Sequence, residues 1–191
     1  MNNYAYLLYF GENVPVNTEK ALSYFNFAVS KGNIFAIHNL AYIYRAGYKI
    51  AQNIHKAIEI YKMGIDLNDP ESMCGYAEIL RFGECGIPVD KKKAAELYQM
   101  AIDQNNANAM CKYADMLRLN ECGITDKDKA IELYKRAKKL GSEYAQKQLA
   151  EMIMKGEADV SDNEEHFKVI QVCIIKFYDG APIKEPEVKF Y

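Results

Sequence analysis

A chain of 191 residues, 50% apolar and 26% charged, can bury roughly 70% of its unfolded surface, which excludes wholesale disorder. The 24 Lys and Arg residues against 26 Asp and Glu leave a net charge of −2, so no basic excess drives binding to phosphates and nucleic acid is not an expected partner. Eleven glycines and five prolines are too few for the turn-rich all-β classes, and no apolar run approaches the roughly 18 residues of a membrane span.

The first expected element is a helix ending at Gly11, with Tyr4, Ala5 and Leu8 on one face of a 3.6-residue period. A second helix follows within residues 1–32. Asn17 stands three residues before Lys20-Ala21 as its N-cap, Phe25 and the small Ala28 follow, and Gly32 supplies the left-handed residue that closes it. Together they form a helical hairpin.

The same pair recurs over 33–68, where Leu40, Ala41, Tyr44 and Gly47 mark the opening helix and Asn53, Lys56-Ala57, Tyr61, Gly64 and Asn68 the closing one. In 69–105 the equivalents are Tyr76, Ala77, Leu80 and Gly83, then Asp90, Lys93-Ala94, Tyr98, Ala101 and Asn105. In 106–141 they are Tyr113, Ala114, Leu117 and Asn120, then Asp126, Lys129-Ala130, Tyr134, Ala137 and Gly141. Lys-Ala thus returns at intervals of 36, 37 and 36 residues. A fifth hairpin, 142–177, opens with Leu149, Ala150, Ile153 and Gly156. Its second helix is expected over 163–177, although the Val- and Ile-rich sequence also suits a strand, because Asp162, Ile170 and Cys173 fall in the cap, aromatic and small-residue positions. Residues 178–191, with two prolines and no period, read as an irregular tail.

The pattern Ala36-x3-Leu40-Ala41-x2-Tyr44-x2-Gly47, followed by Ile50, Asn53, Lys56-Ala57 and Tyr61, resembles the Sel1-like repeat, a relative of the tetratricopeptide repeat. The period favours it over the 34 residues of tetratricopeptides. The resemblance implies an all-α, right-handed α/α superhelix that scaffolds other proteins and has no catalytic machinery or cofactor. Asn120 in place of a turn glycine and an opening helix about one turn short are departures from the pattern.

Five cysteines, an odd number spread along the chain, do not make the dense framework of a secreted scaffold, so reduced thiols and a cytoplasmic location are expected. Cys74 and Cys85, like Cys111 and Cys122, are 11 residues apart, about 16 Å along a helix and beyond bridging distance. That separates the chain from the cysteine-rich branch of the resembled family, whose paired cysteines staple each hairpin. A hydrolase of that branch, acting on cell-wall-like or β-lactam substrates, is the rival functional reading. A subunit that extends a larger array is a third. His38, Cys74 and Cys111 share one repeat position, but helices stacked 8 to 10 Å apart hold such donors too far from one another for a zinc ion. No phosphate-loop or hydrolase motif occurs. The repeated Glu-Cys-Gly-Ile at 84–87 and 121–124 reads as a turn with a plugging isoleucine, a redox pair of Cys85 and Cys122 being a minor alternative.

On the opening helices the positions nine, five and two residues before the terminal Gly or Asn lie off the apolar face. The candidate partner-binding residues there are Tyr6, Tyr9, His38, Tyr42, Arg45, Cys74, Glu78, Arg81, Cys111, Asp115, Arg118, Lys147 and Glu151. In a tetratricopeptide-like stack that side is the concave groove, where an extended peptide lies. Glu78 with Arg81, and Asp115 with Arg118, are expected to pair three residues apart on solvated helices. The in-register Arg45, Arg81 and Arg118 would then form a column able to take acidic groups or main-chain carbonyls of a protein or peptide partner.

Overall fold

The computed structural model describes residues 2–11, 14–121, 123 and 125–158. Nine α-helices are present among them, α1 Asn2–Phe10, α2 Thr18–Ser30, α3 Ile34–Ala46, α4 Ile54–Asp66, α5 Pro70–Phe82, α6 Lys91–Ile102, α7 Ala107–Arg118, α8 Lys127–Lys139 and α9 Glu143–Met154, with no strand. None is long and apolar enough to cross a membrane. The hairpins α1/α2, α3/α4, α5/α6 and α7/α8 stack in chain order, each closing helix packing on the next opening helix. The expected helix over 163–177 and the tail lie outside the described residues, so the fifth hairpin is described by α9 alone.

Each boundary is set by a short side chain or a left-handed residue. Asn17, Asn53, Asp90 and Asp126 accept from the backbone N–H of Lys20, Lys56, Lys93 and Lys129, each at 2.9 Å. The opening helices are capped the same way by Asn33, Asp69, Asn106 and Ser142. Between hairpins the turn is a Schellman motif: Asn68 sits at φ +59°, its N–H donates to Ile65 O, and Asp69 N–H donates to Gly64 O at 2.9 Å. The residue that ends one helix by this bond is also the N-cap of the next, so there is no slack in the connection.

The core runs the length of the stack. Phe25, Tyr61, Tyr98 and Tyr134 are buried in the closing helices, against the alanine rows Ala5, Ala41, Ala77, Ala114 and Ala21, Ala57, Ala94, Ala130. Small residues at these points let helices approach closely. A Cβ built on Gly64 would overlap Ser72 Oγ of the following hairpin and press on Ile37 of its own. The small row therefore serves the contact between hairpins as well as the one within a hairpin. One on Gly75 would overlap the Tyr61 ring. At the expected turn, Glu84–Gly86 forms a single 3-10 turn and Ile87 packs against the core.

Candidate functional site: the inner face

Besides packing on their hairpin partners, α3 touches α5 and α5 touches α7, so the opening helices form the inner layer of the curve. The candidate residues all project from this layer, but they are not alike. Tyr6, Tyr42 and Lys147 are exposed; His38, Arg45, Glu78, Arg118 and Glu151 are partly buried; Tyr9, Cys74, Arg81, Cys111 and Asp115 are buried.

The expectation of a solvated arginine column is corrected by the pairing. Arg45 donates from Nε to Glu84 Oε2 at 3.0 Å, from Nη2 to Glu84 Oε1 at 2.5 Å and from Nη1 to Glu78 Oε2 at 2.7 Å. Arg81, 6% exposed, grips Glu121 in the same forked way, with Nε to Oε2 at 2.9 Å and Nη2 to Oε1 at 2.5 Å. Each fork crosses a hairpin boundary, joining the residue two before one terminal glycine to the residue just after the next terminal Gly or Asn. The pairs expected three residues apart within a helix do not form, because Arg81 takes two oxygens of Glu121 across the boundary and both carboxylate oxygens of Asp115 are occupied by tyrosine hydroxyls. Glu78 is taken instead by Arg45 and, at 2.9 Å, by Lys112. Arg118 reaches Glu151 at 3.8 Å, and Glu151 takes Lys155 at 2.6 Å.

Charge is held in place by these contacts. Burial works against the ionised Glu78, but the bonds from Arg45 and Lys112 outweigh it and hold the carboxyl below its usual range. Arg81 does the same for Glu121, against a smaller burial effect. Burial pushes the Tyr61 phenol, which lies beside Arg45, up to about 12. Asp115, expected to face a ligand, instead accepts from Tyr134 Oη at 2.5 Å and Tyr144 Oη at 2.9 Å.

The cysteine row is likewise turned inward. Cys74 Sγ donates to Asn106 Oδ1 at 3.6 Å and Cys111 Sγ lies 3.4 Å from Ser142 Oγ, each thiol facing the N-cap of the next opening helix. Burial raises the Cys74 pKa well above the ordinary thiol value. Among the described residues Cys74, Cys85 and Cys111 are free thiols, and no group of three or more His, Cys, Asp or Glu side chains is placed to hold a metal ion. A groove of about 530 Å³ runs past Glu71, Asn108, Cys111, Lys112, Ser142 and Tyr144, but several of its polar groups are already engaged: Glu71 with Asn106, Lys112 with Glu78, Tyr144 with Asp115.

At the N-terminal end the same two positions are aromatic. Tyr9 and Tyr48 replace the Arg and Glu of the clasp and meet edge to face at 6.4 Å, Tyr9 being 1% exposed. Lys49 Nζ lies over both rings and donates to Tyr9 O at 2.8 Å. Phe10 packs on Tyr6 at 4.5 Å and on Tyr9 at 5.1 Å. Tyr42, 54% exposed, occupies in α3 the position of Tyr6 in α1. Phe10, Tyr48, Glu84 and Glu121 were not among the sequence candidates. A signal for the last three is present, since Tyr48, Glu84, Glu121 and Glu157 each follow a terminal Gly or Asn.

The family model for the Sel1 repeat matches residues 1–33, 34–69, 70–106 and 107–142. The chain belongs to the Sel1 repeat family. As a fold, it is similar to the crystal structure of a Sel1 repeat protein from Oxalobacter formigenes, with a TM-score of 0.78 at 20% identity over 92% of this chain and 71% of that one. It is also similar to c5321, a protective antigen present in uropathogenic Escherichia coli strains and displaying an SLR fold, with a TM-score of 0.72 at 23% identity. That alignment takes in 87% of this chain but only 36% of c5321, so the chain spans about a third of that neighbour's length. No curated protein matches the sequence. Beyond the fourth Sel1 repeat, α9 keeps the register with Ser142 as cap and Gly156 at φ +67°.

Proposed function

We propose that this Sel1 repeat protein is a non-catalytic scaffold or adaptor that holds a protein or peptide partner against the inner layer of opening helices. The observation that carries the reading is the open position of Tyr6 and Tyr42 in the middle of that layer, where the equivalent Glu78, Asp115 and Glu151 are all engaged internally. Large amphipathic rings left in water on an otherwise self-satisfied surface are the usual anchors of an interface. Repeat solenoids make their ligand contacts through such curved faces, because each repeat adds a further row to one continuous surface.

A photo-cross-linking residue placed at Tyr42, and in a second variant at Glu96 on the exposed side of α6, tests the reading in native extract. Cross-linking of a protein from position 42 and not from 96 is expected. Products from position 96 alone, or from neither position, would remove the inner face as the binding surface.

A further inference from the structure

We infer that the ligand surface is the aromatic end of the inner face, around Tyr6, Phe10, Tyr42 and Tyr48, and that its occupant is an uncharged, proline-containing segment of a partner protein in the polyproline II conformation. This rests on the proposal that the inner face binds at all, and narrows it to one end and one ligand chemistry.

Three properties of the patch select that ligand. The first is charge. From Arg45 of α3 onward the inner-face arginines are matched with carboxylates, through Arg45 with Glu78 and Glu84, Arg81 with Glu121, and Arg118 and Lys155 with Glu151. A charged ligand there has to displace an existing ion pair. At the aromatic end the cation close by is Lys49, whose ammonium is already bonded to Tyr9 O and laid over two rings. Among the described residues, neither an acidic nor a basic segment gains a ready counter-charge there.

Hydrogen-bonding capacity is the second. The phenol hydroxyls of Tyr6, Tyr42 and Tyr48 are not spent on other described residues. They are donors beside ring faces, which suits a chain rich in carbonyl acceptors and poor in N–H donors, as a proline-rich segment is. The third is spacing. Tyr6 and Tyr42 hold the same register position on neighbouring opening helices, so they follow the helix stacking distance of about 8 to 10 Å. Three residues of polyproline II span about 9 Å, one full turn. Residues i and i+3 of the ligand therefore meet successive tyrosines, and its form is set before binding, which keeps the ordering cost low.

Panning the intact chain against a phage-displayed library of random dodecapeptides tests this. Recovered clones are expected to carry prolines or aliphatics three residues apart with no net charge. Their binding should fall at least about tenfold in Tyr6→Ala/Tyr42→Ala, whose residues are exposed and whose helical signal should persist. Tyr42→Phe, which keeps the ring and removes the donor, should lose a smaller part. Clones dominated by acidic or basic residues, or indifferent to the double variant, would overturn the inference. If such clones instead respond to Tyr144→Ala, the inner face still binds and only its aromatic end is excluded. Failure to recover any clone would overturn both.

Discussion

Arg81 shows how far the setting of a residue departs from its spacing. Its fork on Glu121 is nearly dry, with side-chain exposures of 5% and 14%, and removing one partner of a buried pair costs about 3 to 5 kcal/mol. Arg81→Glu, which also sets two carboxylates against each other, should destabilise at least as much as Ala101→Leu, whose overpacking costs about 1 to 3 kcal/mol. A solvated Arg81, as its spacing suggested, would have tolerated the change; thermal melts of the two variants decide the order. Gly75 offers a sharper case. Replacing a mid-helix glycine by alanine ordinarily gains up to about 1 kcal/mol, but a Cβ here overlaps the ring of Tyr61, itself 1% exposed. Gly75→Ala is therefore expected to lower stability by about 1 to 3 kcal/mol, and a raised melting temperature would show that the two helices can part without cost.

Helix ends were the most legible elements, because an N-cap or a left-handed C-terminal residue is a local requirement that a repeat writes again at each copy. Asn17, Asn53, Asp90 and Asp126 each make the expected bond, and Gly47, Gly83, Asn120 and Gly156 each have positive φ. Asn53→Ala should cost about 1 kcal/mol in chemical denaturation, and Asn53→Asp should restore most of it. The inner face was less legible. Its partners lie 19 to 40 residues away, as with Asp115 and Tyr134 or Arg81 and Glu121, and a helical wheel shows which side a residue faces without showing what the neighbouring helices bring to it. Tyr6 and Tyr42 are exposed, whereas Tyr9, Cys74, Cys111 and Asp115 are closed over by neighbours that only the stacking supplies.

Across the whole molecule, stability is a sum over hairpins and their junctions, and the ionised clasps tie two of those junctions to pH. Glu78 and Glu121 have pKa values below their unfolded values. Their contribution is complete above the unfolded carboxyl range and is lost as pH falls through the folded values, so acid should loosen the α3–α8 stack. At the other extreme Tyr61 and Tyr144 are raised to about 12, with Tyr98 and Tyr134 also raised. These phenols keep their proton more tightly when folded, so stability should fall as pH rises above the ordinary tyrosine value, with tyrosinate absorbance appearing together with the loss of helix. Independent phenol titration in a still helical chain would contradict the burial. The clasp also has a genetic consequence. Half of it is written in one repeat and half in the next, so a tandem copy of residues 70–106 would bring Arg81 of the first copy to Glu84 of the second, a match like those already present. Duplication of such a repeat lengthens the array and leaves every clasp paired.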